Sequence, residues 1–153
     1  MTATAGRYVK AVLWDMDGTL MNSQPIWDES FRRRCQERGG TVTPEQVAGI
    51  AGASIARTRE LIAETGATES PEDPATAEVF ARIAADVGEA VRADPPILPG
   101  ARRITSMLSE IGLAQVIVTQ SPRPIVESVA HALGDVFVEL VTGDDGLPGK
   151  PTP

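Results

Sequence analysis

The chain has 153 residues, 42% apolar and 23% charged, which is enough apolar material for a packed core and too much for a disordered tail. Its 14 Lys and Arg stand against 21 Asp and Glu, a net charge of −7; that argues against a nucleic-acid binder, which carries a basic face, and against docking on anionic lipid. With one cysteine (Cys35) and one histidine (His131), an internal disulfide framework and a Cys/His zinc cluster are both excluded.

No apolar run approaches the ~18 residues of a membrane span. The N-terminal stretch holds Asp15 and Asp17 and lacks a signal-peptide cleavage pattern, so the expected location is the cytoplasm. Residues 8–14 (YVKAVLW) are rich in β-branched and aromatic side chains and end abruptly at Asp15-Met16-Asp17-Gly18-Thr19, which predicts a buried strand feeding a loop. From residue 25 to about 38 the period changes: Ile26, Trp27, Phe31, Arg34 and Cys35 share one helical face, and Gly39-Gly40 stops the helix. Cys35 reads there as a small core hydrophobe, and Arg32-Arg33-Arg34 as a partly solvated face.

Thr43-Pro44-Glu45-Gln46 opens a further helix with a cap residue and a proline at the first position. Residues 53–64 form another, closed by Gly66. Val79, Ile83, Val87 and Val91, with Phe80 beside the first, repeat as in an amphipathic helix until Asp94-Pro95-Pro96 breaks the pattern. Residues 22–95 are thus an all-helical block. Beyond it the rhythm is α/β. A helix over 99–111 carries Ile104, Met107, Leu108 and Ile111 on one face and stops at Gly112. A strand over 114–118 (AQVIV) runs into Thr119-Gln120-Ser121. A helix over 122–133 follows, with Ser121 as its cap and Gly134 as its stop, then a strand over 136–141 leading to Thr142-Gly143-Asp144-Asp145 and on to Lys150.

A strand, a helical insertion and a β-α-β unit force parallel strands and right-handed crossovers. In such sheets polar residues just past the strands' carboxyl ends gather on one rim. Three polar clusters lie there, after the first, second and third strands. Asp15 and Asp17 are one residue apart, so in an extended chain both carboxylates lean to one side, and a divalent cation or a proton relieves their repulsion. A carboxylate can attack phosphorus, and its neighbour can pass a proton to the leaving oxygen. Hydroxyls and N–H groups at a helix start, here Thr119 and Ser121, suit an anion, although capping is the commoner role of such a serine. Lys150, one of two lysines beside twelve arginines, could offset charge on a transferring phosphoryl group. Gly149-Lys150 is not a nucleotide P-loop, because Asp144 and Pro151 stand where that motif needs Gly and Ser or Thr.

With these residues assembled, the chain resembles haloacid dehalogenase superfamily phosphohydrolases, in the branch of phosphoglycolate phosphatases and β-phosphoglucomutases. Val12-Leu13-Trp14-Asp15-Met16-Asp17-Gly18-Thr19-Leu20 is similar to that family's hhhDxDGTL signature. Val116-Ile117-Val118-Thr119 is similar to its strand ending in Thr or Ser, and Val141 to Asp145 leading to Gly149-Lys150-Pro151 is similar to the stretch around its lysine. The resemblance covers the whole chain. It implies a Rossmann-like parallel core built from residues 1–21 and 96–153, with a helical cap of residues 22–95 inserted after the first strand.

The same resemblance implies a Mg²⁺-dependent phosphohydrolase acting on a small phosphorylated metabolite through an aspartyl-phosphate. Asp15 would be the nucleophile and Asp17 the general acid/base. Thr119, Gln120 and Lys150 would bind the phosphoryl group, Lys150 also orienting Asp15. Mg²⁺ would sit on the Asp15 carboxylate and the Asp17 carbonyl. Arg57, near the loop Ala51-Gly52-Ala53-Ser54, would contact the leaving group. A sugar-phosphate mutase is the enzyme alternative.

The chain departs from the family pattern in two places. Asn22-Ser23-Gln24-Pro25 carries amides where relatives often have D-S-E-P, which makes the rim less negative. The family's fourth motif, an acidic pair that completes the Mg²⁺ shell, would lie beyond Lys150, and the expectation is of a core incomplete at its C-terminus. In the family's strand order 3-2-1-4-5 the first strand is central. Without its outer neighbours it becomes an open edge that invites self-association. A catalytically incomplete fragment serving as a binding or interaction module is the alternative from another class.

Overall fold

The computed structural model describes residues 9–147. Its elements are β1 (Ala11–Trp14), α1 (Gln24–Gln36), α2 (Pro44–Gly49), α3 (Ile55–Glu64), α4 (Pro74–Ala93), α5 (Ala101–Glu110), β2 (Ala114–Val118), α6 (Arg123–Ala132) and β3 (Glu139–Val141). The strands form one parallel sheet in the order β1-β2-β3. Leu13 lies opposite Val116, Trp14 opposite Ile117, and Ile117 opposite Leu140.

That register sorts the side chains, because successive strand residues point to opposite faces. Trp14, Ile117 and Leu140 belong to one apolar cluster with Met16, Leu20, Ile125, Val126, Val129 and Leu133, so α6 covers this face. The buried Gln115 shares the face without disrupting it. Its amide accepts from Trp14 Nε1 at 3.0 Å and donates to the Thr105 carbonyl of α5 at 2.8 Å, so both its polar ends are satisfied. Leu13 is on the opposite face and is 69% exposed.

A second apolar cluster, of Phe31, Cys35, Val47, Leu61, Ile62, Val79 and Ile83, lies among α1 to α4. Helix α4 belongs to both clusters. Val79 and Ile83 enter the helical one, while Val87 and Val91, one and two turns on, enter the one beneath the sheet. At 1.5 Å per residue its 20 residues are long enough to bridge the two. The chain passes between the clusters at a narrow neck. Asn22 N donates to the Pro96 carbonyl at 2.8 Å, Leu98 N to the Leu20 carbonyl at 2.9 Å, and Met21 bridges Ile97.

Several elements differ from the sequence reading. β1 is described from Ala11, and Tyr8 falls outside the described residues. β3 begins at Glu139 rather than at 136, because Phe137 turns into the core while Val138 N is drawn to the Gln115 carbonyl at 2.8 Å. α3 begins at Ile55, since the Ser54 hydroxyl caps it by accepting from Arg57 N. α2 starts where expected, with a reciprocal capping box between Thr43 and Gln46. The apolar stripe of α5 is largely uncovered among the described residues: Ile104, Met107 and Ile111 are all exposed. No helix there is long and apolar enough to cross a membrane.

Candidate active site

Met16 and Leu20 are buried on either side of an exposed turn, and their burial fixes how the segment between them is presented. Leu20 N and Thr19 N both donate to the Met16 carbonyl, and Gly18 N donates to the Met21 carbonyl at 2.8 Å. Gly18 takes φ +81°, a left-handed conformation natural to glycine, and thereby reverses the chain. The reversal lays Ser23, at the start of α1, against the carboxylate of Asp17.

Asp17 is the hub of the site. Its Oδ1 accepts from Ser23 Oγ at 2.5 Å, and its Oδ2 accepts from Thr119 Oγ1 at 3.0 Å and from Ser121 Oγ at 2.7 Å. Asp15 is exposed on the same ledge, with Thr19 Oγ1 donating to its Oδ2 at 3.0 Å. The first and second sequence clusters therefore meet through two hydroxyls, those of Thr119 and Ser121, on one carboxylate, which Ser23 contacts as a third.

Ser121 corrects an expectation. Pro122 occupies the N-cap position of α6 and no side chain caps the helix. The Ser121 hydroxyl points to Asp17 instead, and its N–H donates to Thr119 Oγ1 at 3.1 Å. Thr119 thus directs its single hydroxyl proton at Asp17. Ser23, the serine of the segment that departs from the family pattern, is brought to Asp17 as well, which no single motif in the sequence signals.

The third cluster is tied to the second by a close backbone approach. Gly143 N donates to the Ser121 carbonyl at 3.1 Å. A Cβ at position 143 would land on the Gln120 carbonyl oxygen, so only glycine lets the loops after β2 and β3 come this near. Asp144 and Asp145 turn toward the start of α6 rather than toward Asp15. Asp144 Oδ2 accepts from Arg123 N at 2.7 Å, and Asp145 accepts from Arg123 Nη2 and from Thr142 N, each at 2.7 Å. The Arg123 guanidinium first, and the Thr142 N–H second, hold the Asp145 carboxyl below the usual carboxylate range. Lys150 lies outside the described residues.

A cleft opens above Asp17 between the sheet rim and the helical block. Gln24 and Trp27 of α1, Ile50, Ile55 and Thr58 near α3, Phe80 of α4, and Gln120 with Ser121 are among the residues lining it. Gln24 is held in place by donating to Asp28 Oδ1 at 2.6 Å. Arg57 is not brought to this cleft. Its guanidinium is exposed and donates to Glu60 and Glu64 on its own helix, each at 2.8 Å. Ser54 caps α3 with Arg57 N, and the side chain then runs along the outer face, where the two glutamates lie one and two turns ahead.

Among the described residues no three Asp, Glu, His or Cys side chains gather into a metal cage. What the ledge offers a cation is an exposed carboxylate and main-chain oxygen, a hard-oxygen set that suits Mg²⁺, which keeps several waters and its phosphate ligands.

Comparison with known proteins gives the family and the fold. The model of the haloacid dehalogenase-like hydrolases matches residues 9–153. The chain is 28% identical over 160 residues to hexitol phosphatase B of Escherichia coli (strain K12), covering 96% of this chain and 66% of the relative. It is 27% identical over 146 residues to a phosphoglycolate phosphatase of Rhodobacter capsulatus, covering 94% of this chain and 66% of the relative. The crystal structure of a β-phosphoglucomutase from Clostridium difficile superposes with a TM-score of 0.79 at 16% identity, over 95% of this chain and 67% of that one. The chain thus spans just under two thirds of the length of the curated relatives it matches, 66% of each.

Proposed function

Because the chain belongs to the haloacid dehalogenase-like hydrolase family, we propose that its ledge serves phosphoryl transfer: hydrolysis of a small phosphorylated metabolite with Asp15 as nucleophile and Asp17 as proton carrier. The observation that carries this reading is the convergence of Ser23, Thr119 and Ser121 on Asp17, next to the exposed Asp15.

In the first step an Asp15 oxygen attacks phosphorus, the bond from phosphorus to the leaving oxygen breaks, and Asp17 gives that oxygen its proton. In the second, water attacks phosphorus, its proton goes to Asp17, and the aspartyl-phosphate bond breaks to release phosphate and regenerate Asp15. Hydroxyls both donate and accept, so the Ser23, Thr119 and Ser121 cluster can serve Asp17 in either protonation state. With substrate present, Thr119 redirects its donor from Asp17 to a phosphoryl oxygen, where Gln120 and Lys150 also bind. Asp15 and the Asp17 carbonyl would hold Mg²⁺, which when bound offsets negative charge on the phosphoryl oxygens.

In this reading residues 22–95 form a cap over the core of residues 1–21 and 96–153. The paired neck at Asn22 and Pro96 supports that division. The outer side of β1, unpaired among the described residues, supports self-association as a further property of the chain. The test of the hydrolase reading is release of nitrophenol from p-nitrophenyl phosphate with Mg²⁺ present. The expected result is turnover that Asp15→Asn lowers by about a thousandfold or more; turnover that survives the substitution removes the assignment.

A further inference from the structure

The cleft above Asp17 has a distinctive charge balance. Among the described residues the only charged side chain lining it is Asp17 itself; the rest of the wall is neutral. Gln24, Thr58 and Gln120 supply uncharged hydrogen-bonding groups, and Trp27, Ile55 and Phe80 supply apolar surface. Of the three arginines that adjoin its lining residues in sequence, Arg57 is spent on Glu60 and Glu64 outside the cleft, Arg123 is paired with Asp145, and Arg59 is not among the residues lining it. Gln24 leans on Asp28, so the carboxylate next to this wall is of the wrong sign to receive an anion.

A second anionic group on the substrate would have to leave water for this wall without a counter-charge. Burying an unpaired carboxylate or phosphate is costly, and the adjoining carboxylates add repulsion. A row of hydroxyls faces no such cost: its O–H groups can donate to the amide oxygens of Gln24 and Gln120 and to Thr58 Oγ1, whose own proton is given to the Ser54 carbonyl, while its C–H faces rest on Trp27 and Phe80.

We propose that the substrate is a monophosphate whose leaving group is uncharged and hydroxyl-bearing, a polyol or sugar, and that the cleft rejects phosphoesters carrying a carboxylate or a second phosphate. This rests on the phosphohydrolase reading for the placement of the phosphoryl group. It goes beyond that reading in naming what the cleft wall selects.

The test compares a hexitol 6-phosphate with phosphoglycolate on the same protein, by kcat/KM and, separately, by calorimetric titration of the Asp15→Asn variant. The expected result is a preference for the hexitol phosphate of about tenfold or more, the equivalent of about 1.4 kcal/mol. Ala53→Arg, which places a cation on the cleft wall, is expected to narrow or reverse the preference. Equal or better use of phosphoglycolate by the native chain overturns the inference and leaves the hydrolase reading standing. Tighter binding of the hexitol phosphate with no turnover of any phosphoester supports the inference and removes the hydrolase reading. Binding of neither ligand overturns the inference.

Discussion

Ser121, on the loop after β2, donates its hydroxyl to the carboxylate of Asp17, on the loop after β1, at 2.7 Å across 104 positions of sequence. The contact exists because β1 and β2 are adjacent and parallel, so their carboxyl ends open onto the same rim. It makes Asp17 the point at which two distant motifs are held together.

If Asp17 moves the proton, its hydroxyl partners set its position. Ser121→Ala is expected to lower kcat about tenfold with little change in KM, the rate equivalent of one charge-assisted hydrogen bond. Steady-state kinetics on an aryl phosphate check this. An unchanged kcat would show that Ser121 only fills space.

Gly143 is where the third cluster is docked on the second. Gly143→Ala puts a methyl group against the Gln120 carbonyl and within 3.3 Å of Ile55 Cδ1. The loops must part, and overpacking of this kind costs about 1–3 kcal/mol. A thermal melt should fall accordingly, and phosphatase activity should drop with it, since Gln120 shifts. A variant as stable and active as the parent would mean that the approach of the two loops is unimportant.

The helical block has its own electrostatic clasp. Asp86 of α4 accepts from Arg34 Nε at 2.8 Å and Nη2 at 2.6 Å on α1, and Arg33 Nη2 approaches to 2.7 Å. The Arg34 guanidinium above all, opposed by some desolvation, holds the Asp86 carboxyl below its ordinary range. A carboxylate depressed in the folded state contributes stability that is present above its unfolded value of about 3.9 and is lost as pH falls through the folded value. Asp86→Asn should therefore cost about 1–3 kcal/mol at neutral pH, and the gap between variant and parent should narrow as pH falls below about 4. Denaturant titrations at the two pH values read it. A gap of the same size at both would contradict the role given to the pair.

Leu13 is exposed on the strand that forms the outer side of the described sheet. Open edges pair with other chains, and lysine on an edge strand discourages this. Sedimentation velocity across a concentration series should show association for the parent and a shift toward monomer for Leu13→Lys. A parent that stays monomeric throughout would remove self-association from the account.

The sequence showed where the strands lie, the α4 stripe and the motif residues because each rests on local pattern: β-branched runs, an apolar residue every fourth position, a carboxylate pair before Gly18. The burial expected of β1 is not found, since none of its four residues is buried and Leu13 is 69% exposed. Cys35 sits in the core as its helical face required, and burial pushes its thiol up from the ordinary value. What sequence missed depends on geometry between elements. Ser121 looked like a helix cap because it precedes a helix, but the next residue, Pro122, takes the cap position and leaves the hydroxyl free to turn toward Asp17. Arg57 looked like a substrate contact because it follows a loop similar to the family's. The helix then carries its side chain toward Glu60 and Glu64, which follow at one-turn and two-turn spacing. Asp144 and Asp145 could have been rim acids, and only the position of Arg123 shows that they serve the start of α6.

Acceptance of the phosphoryl group by Asp15, on a ledge organised around Asp17, would leave a covalent mark on the chain. The most direct measurement is the mass of the Asp15-containing peptide after the protein is incubated with a small phosphoryl donor and Mg²⁺ and then quenched in acid. The expected result is the added mass of one phosphoryl group on that peptide, localised to Asp15 and absent from Asp15→Asn. A phosphoryl group found on another residue, or one that persists in Asp15→Asn, would contradict it.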